Sequence, residues 1–128
     1  MNIAIVGATG NVGRKMLEVL EQKKLPVDQL YLVASARTAG QTITFKNKKY
    51  EVLNLETYDF SKAKITFFAA GGKISELYAE KAAKHTTIID NASFFRMDPD
   101  VPLIVPQVNP ESINNLKKNI IANPNCST

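Results

Sequence analysis

Residues 2–22 read NIAIVGATGNVGRKMLEVLEQ, and this stretch predicts the fold. The apolar run Asn2–Val6 has the length and composition of a buried strand, and it stops at a glycine. Beyond the glycine-rich segment 7–13, apolar side chains recur at helical spacing through the rest of the stretch. Leu25-Pro26 then ends the helix, because the residue before a proline disfavours the helical backbone region. The predicted order is a buried strand, a glycine turn and an amphipathic helix.

The rest of the chain continues this alternation of strands and helices. Further strands are predicted at Gln29–Ala36, Ile65–Ala70, Thr86–Ile89, Leu103–Val105 and Asn119–Ala122, a hairpin at Thr42–Phe45 and Lys49–Leu53, and helices at Ser75–Lys84 and Pro110–Lys118. Strands that alternate with helices indicate a mostly parallel sheet. Since no repeat or linker is visible, residues 1–128 are predicted to form one α/β domain, a Rossmann-like, doubly wound sheet with helices on both faces.

Polar and glycine-containing segments follow the predicted strands at 7–13, 35–40, 71–75, 90–96 and 123–128. In a doubly wound sheet, the carboxyl ends of the strands form the edge at which ligands bind. We therefore expect these five segments to meet at one rim of the sheet, and candidate functional residues are sought there.

The composition is that of a soluble globular protein, with 45% hydrophobic and 22% charged residues in a chain of 128. Cys126 is the single cysteine, which excludes an intrachain disulfide. With the lone His85 it provides too few ligands for a structural zinc site, so no metal is expected. The sequence has no run of about 18 apolar residues and no signal peptide. A free thiol then fits a reducing cytoplasm, with no membrane association.

The net charge of +4 says little about partners, because thirteen of the sixteen basic residues are lysines spread through the chain. A nucleic-acid interface would show a basic stripe with aromatic partners, so no nucleic-acid binding is expected. The three arginines are considered separately, since a guanidinium can bind phosphate or carboxylate in a bidentate way. Arg14, in the first turn of the first helix, is expected to be an ordinary surface charge.

The glycine turn 7–13 has the form of a phosphate-binding loop. Glycines let the backbone approach a pyrophosphate, and the following helix offers N–H groups and a partial positive charge at its N-terminus. The pattern here is G-x-x-G-x-x-G rather than the usual G-x-G-x-x-G. For the turn alone, a tight connection without a ligand therefore remains an alternative.

The end of the second predicted strand adds evidence for a dinucleotide. Folds that bind NAD usually carry an acid about 20 residues after the turn, where it hydrogen-bonds the ribose. Here the chain reads Ser35-Ala36-Arg37-Thr38, without an acid. A guanidinium with neighbouring hydroxyls suits a 2′-phosphate, which favours NADP. The alternative for Arg37 is an arginine exposed in a loop.

Cys126 follows the last predicted strand and lies between Asn125 and Ser127. A nucleophilic thiol needs partial exposure, nearby N–H groups and a base that helps to form the thiolate. A loop can supply the first two, but no base is evident in the sequence. The residues alone therefore leave a catalytic role for this cysteine open.

Five segments, in order, resemble the N-terminal portion of the aspartate-semialdehyde dehydrogenase family. They read GATGNVG at 7–13, ASARTAG at 34–40, DNASFFR at 90–96, VPLIVP at 101–106 and NPNCST at 123–128. The resemblance implies reduction of aspartyl 4-phosphate to aspartate 4-semialdehyde with NADPH and release of phosphate, a step in the biosynthesis of lysine, threonine, methionine and diaminopimelate. N-acetyl-glutamyl-phosphate reductase shares this architecture, but it usually has an aromatic residue and a proline after its cysteine, where this chain has Ser127 and Thr128.

The resemblance also implies a role for each matching position. Cys126 is implied to be the nucleophile that forms an acyl-thioester, with Asn125 shaping the site beside it. Arg96 is implied to hold the acyl phosphate, and Asn91 and Ser93 lie in the same loop. Contacts with NADP are implied at Gly7, Thr9, Gly10, Asn11, Val12, Gly13, Ser35, Arg37, Thr38, Gly71 and Gly72.

Members of this family are more than twice as long as this chain. The resemblance therefore implies a further C-terminal part with the catalytic histidine, other substrate-binding residues and most of the interface of a homodimer or a dimer of dimers. We expect residues 1–128 to be a dinucleotide-binding domain that ends at the nucleophile loop and gives no turnover alone. The alternatives are a non-catalytic NADP-binding module and an enzyme similar to N-acetyl-glutamyl-phosphate reductase.

Overall fold

A parallel sheet forms the centre of the molecule in the computed structural model, which describes residues 2–22, 27–90 and 120–122, the last two of these by their backbone only. In chain order the elements are β1 (Asn2–Val6), α1 (Asn11–Gln22), β2 (Gln29–Ala34), β3 (Thr42–Phe45), β4 (Lys48–Glu51), β5 (Leu53–Asn54), a 3-10 turn (Phe60–Lys62), β6 (Ile65–Phe68), α2 (Gly72–Ala82), β7 (Thr87–Asp90) and β8 (Ile120–Ala122).

The six described strands of the sheet run in the order β5-β2-β1-β6-β7-β8, and every neighbouring pair is parallel. The chain moves outward from β1 to β2 and β5, then returns to the other side of β1 with β6. The order of the strands therefore reverses between β1 and β6, which is where such sheets open a crevice for ligands. This topology confirms the predicted Rossmann-like, mostly parallel sheet.

The core consists of two clusters of buried side chains, one on each face of the sheet. In β1, Ile3 and Ile5 face the cluster that contains Leu17 and Leu20 of α1, because alternate residues of a strand point to opposite faces. The other cluster places Val6, Val33, Phe68 and Ile88 of the sheet with Ala79 and Ala82 of α2. The two helices therefore cover opposite faces, as the sequence predicts.

The strands β3 and β4 form an antiparallel hairpin outside the main sheet, with Phe45 paired to Lys48 at its tip. Phe45 is buried in the α1-side cluster, and Ile43 and Tyr50 pack against it. Apolar side chains of the hairpin therefore belong to the same core cluster as Leu17 and Leu20 of α1. The predicted hairpin is confirmed, with a turn of two residues, Lys46 and Asn47, between the strands.

The predicted strand Lys49–Leu53 is wrong in its extent, because the chain changes sheets within it. Gly40 N–H donates to the carbonyl of Val52 at 2.8 Å, and Val52 N–H donates to the carbonyl of Gln41 at 2.8 Å. Beyond this exchange, Leu53–Asn54 pairs in parallel with β2 as the short edge strand β5. An alternating pattern cannot distinguish one strand from two that join different sheets.

Other predicted bounds shift by a few residues. The second strand ends at Ala34 rather than Ala36, because the Thr38 and Ala39 N–H groups both donate to the carbonyl of Ser35 and turn the chain. The predicted strand Leu103–Val105, the predicted helix Pro110–Lys118 and the helix end at Leu25-Pro26 lie outside the described residues. Among the helices that are described, none has both the length and the apolar character needed to cross a membrane.

Candidate functional site

A cleft of about 340 Å³ opens at the carboxyl ends of β1, β2 and β6, at the point where the strand order reverses. Its lining comes from four separate stretches of the chain. The lining residues are Gly7, Thr9, Gly10, Ala34, Ser35, Thr38, Leu55, Ala69, Ala70 and Ile74. The expectation that segments 7–13, 35–40 and 71–75 meet at one rim is confirmed, since each contributes to this lining.

Gly7 is required where the first strand passes into the loop. Its φ of +88° is a backbone conformation that side-chain-bearing residues rarely adopt. A Cβ there would also lie 2.8 Å from the carbonyl carbon of Ala69 and 2.8 Å from the nitrogen of Ala70. Gly7 N–H meanwhile donates to the carbonyl of Val33 at 2.8 Å. The absence of a side chain therefore lets the loop lie directly against the ends of both neighbouring strands.

Gly13 is required for a different reason, namely the packing of α1 on the loop. A Cβ at Gly13 would overlap the carbonyl oxygen of Gly7 and lie 2.8 Å from the Cα of Ala8. At Gly10, the middle glycine, an added Cβ would be 3.5 Å from the same carbonyl oxygen, an ordinary contact. The first and third glycines therefore bring the N-terminus of α1 close to the sheet, whereas the second leaves open space.

The N-terminus of α1 presents unpaired donors at the cleft. Gly10 N–H donates to the Gly7 carbonyl at 3.1 Å, and Arg14 N–H donates to the Gly10 carbonyl at 3.0 Å as the first helical bond. The N–H groups of Asn11, Val12 and Gly13 precede that bond, so they have no partner within the helix. The first turn of α1 contains no acidic side chain. The helix end therefore favours an external anion.

Hydroxyl groups connect the glycine loop to the loop after β2. Thr9 Oγ1 donates to Thr38 Oγ1 at 3.4 Å, and Thr38 Oγ1 in turn donates to the carbonyl of Ser35 at 3.5 Å. Arg37 lies between Ser35 and Thr38 in the sequence and is exposed. No described residue forms a hydrogen bond or an ion pair with its guanidinium. The exposed guanidinium-bearing residue Arg37 and the polar residues Thr9, Ser35 and Thr38 therefore lie together on one side of the cleft.

The loop after β6 forms the opposite wall. Ala69 N–H donates to the carbonyl of Val6 at 2.8 Å, which ties this loop to β1. Gly71 has a φ of +96° and precedes α2, and no side chain caps the helix. The first turn of α2 also lacks an acidic residue. A second helix N-terminus therefore lies beside the cleft, next to the lining residue Ala70.

The predicted cofactor residues fall into two groups in the structure. Gly7, Thr9, Gly10, Ser35 and Thr38 line the cleft, whereas Asn11, Val12, Gly13, Arg37, Gly71 and Gly72 lie beside the lining residues without being among them. The apolar part of the lining, which includes Leu55 and Ile74, was not predicted from the sequence. Leu55 is part of this lining, and its N–H donates to the carbonyl of Ala34 at 2.8 Å, which keeps Leu55 beside another lining residue. The signal that could have identified Leu55 is β5, which was not recognised as a separate strand.

The predicted substrate and catalytic residues, Asn91, Ser93, Arg96, Asn125 and Cys126, lie outside the described residues. The strands that precede them in sequence are described. Asp90 and Ala122, the last residues of β7 and β8, are register partners at the same edge of the sheet as the cleft. His85 is exposed in the turn after α2.

Among the described residues, Tyr58 and Asp59 have clearly shifted pKa values, and neither lines the cleft. Burial raises the pKa of the Tyr58 hydroxyl, and the neighbouring Tyr31 and Asp59 raise it further. Hydrogen bonds from the side chain and the backbone N–H of Ser61 lower the pKa of Asp59 below its usual value. Asp59 thereby caps the 3-10 turn. Neither Tyr58 nor Asp59 is part of the candidate site.

This chain is similar to known semialdehyde dehydrogenases. The family model described as semialdehyde dehydrogenase, NAD binding domain, matches residues 2–116. Aspartate-semialdehyde dehydrogenase of Shewanella violacea is 50% identical over an aligned length of 129, and the alignment covers 99% of this chain and 38% of that protein. The chain thus spans about two fifths of the length of the curated relatives it matches.

Solved structures agree with this similarity. A crystal structure of aspartate semialdehyde dehydrogenase II complexed with ASA, from Vibrio cholerae, has a TM-score of 0.94 at 52% identity and covers 98% of this chain and 42% of its own. A structure of aspartate semialdehyde dehydrogenase with NADP, from Candida albicans, has a TM-score of 0.74 at 25% identity and covers 99% of this chain and 43% of its own. The described topology is therefore that of these neighbours.

Proposed function

The chain belongs to the semialdehyde dehydrogenase family through its NAD-binding domain, and from that premise we propose that it serves an oxidoreductase that reduces L-aspartyl 4-phosphate to L-aspartate 4-semialdehyde with NADPH and releases phosphate. The relatives named for this activity support the proposal, since they are about half identical to the chain over nearly its whole length. The observation that carries it is the cleft at the reversal of strand order, with a glycine loop and a cationic loop on its rim.

The glycine loop suits the diphosphate of the dinucleotide. The N–H groups of Asn11, Val12 and Gly13 have no helical partner, and the α1 dipole favours an anion at the same point. Gly7 keeps the entrance to the loop free of a side chain. On the other wall, Gly71 and Gly72 begin α2 and are proposed to lie near the nicotinamide end of the cofactor.

NADP rather than NAD is the cofactor we propose. The end of β2 carries no acid that would hydrogen-bond a free ribose 2′-hydroxyl and repel a 2′-phosphate. Instead it carries the exposed guanidinium of Arg37 between Ser35 and Thr38. Guanidinium binds phosphate through two parallel N–H donors, so this loop matches a phosphorylated ribose in both charge and geometry.

The proposed chemistry depends on residues beyond the described part of the chain. The Cys126 thiolate attacks the acyl carbon of aspartyl phosphate, the carbon–oxygen bond to phosphate breaks, and a thioester remains on the sulfur. Asn125 shapes the site, and Arg96, with Asn91 and Ser93, holds the departing phosphate. When bound, the nicotinamide would supply a hydride to the thioester carbonyl, and cleavage of the carbon–sulfur bond would then release the aldehyde and return the Cys126 thiolate. The acid–base residue and the rest of the substrate site are proposed to come from a C-terminal part.

The parent protein is proposed to act as a homodimer or a dimer of dimers in the cytoplasm. The resemblance to the family supports the assembly, and a free cysteine thiol suits a reducing compartment. Residues 1–128 are accordingly proposed to be the dinucleotide-binding domain of a longer enzyme, and to give no turnover alone.

The decisive experiment is calorimetric titration of the protein with NADP and with NAD. We expect tighter binding of NADP, and we expect Arg37→Ala to weaken NADP binding by about tenfold while changing NAD binding by less than about twofold, since a charge-assisted hydrogen bond to phosphate contributes about 1.5 kcal/mol. Lys84→Ala is the matched control, because Lys84 is also exposed but follows the C-terminal end of α2, away from the cleft. Equal affinities for the two cofactors in the unaltered protein would contradict the proposed preference.

A further inference from the structure

Arg14 is exposed in the first turn of α1, and it also makes a side-chain hydrogen bond to the preceding loop. Its side chain folds back toward the start of the helix, and Nε donates a hydrogen bond to the carbonyl oxygen of Thr9 at 3.1 Å. The neighbouring Lys15 behaves differently, because its Nζ lies 3.6 Å from the carboxylate of Glu18 on the solvent side. The two adjacent cations therefore have different partners. Arg14 bonds the glycine loop, whereas Lys15 pairs with a residue of its own helix.

Thr9 is the residue through which the two loops of the cleft meet. Its hydroxyl donates to Thr38 Oγ1 at 3.4 Å, and Thr38 donates to the Ser35 carbonyl at 3.5 Å. Both distances are near the upper limit for a hydrogen bond, so small movements of Thr9 would break the connection. Among the described residues, Arg14 is the side chain that bonds the Thr9 carbonyl.

The Thr9–Gly10 peptide is held at both of its polar groups, since Gly10 N–H donates to the Gly7 carbonyl at 3.1 Å and Arg14 Nε donates to the Thr9 carbonyl at 3.1 Å. Gly10 has open space around the position of a Cβ apart from one contact at 3.5 Å. The bond from Arg14 to the Thr9 carbonyl has a charged donor, and charge-assisted bonds are stronger than neutral ones. Thr9 is thus bonded at two groups, by Arg14 at its carbonyl and to Thr38 through its hydroxyl, and Thr38 in turn bonds the Ser35 carbonyl.

We propose that Arg14 is a positioning residue for cofactor selection, which orients Thr9 so that the loop of Ser35, Arg37 and Thr38 is held at the spacing that accepts a ribose 2′-phosphate. The inference rests on the proposed function, because it concerns the same cleft and the same class of phosphorylated dinucleotide. Arg14 acts through Thr9 and need not touch the cofactor. Its loss therefore affects the 2′-phosphorylated cofactor more than the unphosphorylated one.

The test compares dissociation constants for NADP and NAD in the unaltered protein and in Arg14→Gln, Lys15→Gln, Thr38→Val and the double variant Arg14→Gln/Thr38→Val. We expect Arg14→Gln to weaken NADP about fivefold and NAD less than twofold, since one net hydrogen bond is involved. Lys15→Gln removes the same charge one residue away and is expected to leave both constants within twofold. A thermal melt of each variant confirms that it is folded.

The double variant separates positioning from simple attraction between charges. If Arg14 acts through the Thr9–Thr38 contact, Arg14→Gln adds little to the loss caused by Thr38→Val, because coupled residues are not additive. The fivefold effect should also persist between 0.05 and 0.5 M salt, whereas a long-range charge effect is screened. Additive losses, equal losses for NADP and NAD, or an effect that salt abolishes would each overturn the inference. Failure of the unaltered protein to bind NADP would instead overturn the proposed function on which it rests.

Discussion

Gly13 shows at the scale of one residue how closely α1 packs on the loop below it. Because an added Cβ would overlap the Gly7 carbonyl oxygen and approach the Cα of Ala8, only backbone atoms could move to accommodate it. We expect Gly13→Ala to lower the free energy of unfolding by about 2 kcal/mol or more, the usual cost of overpacking. Urea denaturation of the purified variant measures this loss.

The matched control is Gly10→Ala in the same loop, where the added methyl group has ordinary contact distances. Gly10 precedes the first helical residue, and alanine is a poorer N-terminal residue than glycine, so a loss of about 1 kcal/mol or less is expected. Equal losses for the two variants would show that the close approach of Gly7 and Gly13 does not limit stability.

Asp59 provides a prediction about pH at the same scale. Its carboxylate accepts hydrogen bonds from Ser61 Oγ at 2.6 Å and from Ser61 N–H at 2.9 Å, which lower its pKa from 3.8. The folded state therefore prefers the ionised form. Its contribution to stability is present above the unfolded pKa and is lost as the pH falls through the folded value.

An NMR titration of the Asp59 carboxyl carbon should give a pKa below 3.8, and Ser61→Ala should raise it toward that value because the stronger bond is lost. Ser61→Thr keeps the hydroxyl and should leave the pKa low. A titration in which the alanine variant behaves like the unaltered protein would contradict this explanation of the shift.

The hairpin of β3 and β4 carries strain that can be measured at the scale of an element. Its two turn residues, Lys46 and Asn47, have φ values of 50° and 63°, as in turns that favour asparagine followed by glycine. Asn47→Gly is expected to raise the free energy of unfolding by about 0.5 kcal/mol. Asn47→Ala is expected to lower it by about 1 kcal/mol, because alanine has no local hydrogen bond to offset the unfavourable φ.

Urea denaturation of the two variants tests the sign as well as the size. If Asn47→Ala raised the free energy of unfolding, or if Asn47→Gly lowered it strongly, the turn would not require a left-handed backbone in solution. Position 47 is preferred to position 46 for this test. The Lys46 ammonium lies 5.5 Å from the centroid of the Phe45 ring, so a substitution of Lys46 would remove this contact in addition to changing the turn.

Elements with a local signal could be predicted from the sequence, and those that depend on distant pairing could not. The glycine pattern predicted the turn at 7–13, since a backbone without side chains is what such a close approach needs. The edge strand Leu53–Asn54 has only two paired residues and continues an alternating run, so nothing local separates it from β4. Leu55 was missed for the same reason.

Arg14 illustrates the same limit within the candidate site. An arginine in the first turn of a helix is usually a solvated charge, and no pattern in the chain distinguishes one that reaches back to the preceding loop. Its bond to Thr9 depends on how the turn directs that carbonyl. The position of Arg37 and Thr38 beside the cleft could be predicted, because the end of the second strand lies at the ligand-binding edge of such a sheet.

At the scale of the whole molecule, the cleft joins loops that follow β1, β2, β5 and β6. A ligand that bridges these loops stabilises the fold as a unit, because it binds the folded state and not the unfolded chain. At a free concentration of about 100 times Kd, the expected stabilisation is about 2.7 kcal/mol. For a domain of this size that corresponds to a rise of roughly 10 °C in the melting temperature.

We therefore expect NADP to raise the melting temperature of the protein in differential scanning fluorimetry, and NAD at the same concentration to raise it less. The difference between the two cofactors reflects the 2′-phosphate, so it should disappear in Arg37→Ala while a smaller common shift remains. Ser35 and Thr38 stay in place in that variant, which isolates the charge from the hydroxyls. Equal shifts for the two cofactors in the unaltered protein would mean that the loop after β2 does not select the phosphorylated ribose, even where the rest of the cleft binds a dinucleotide.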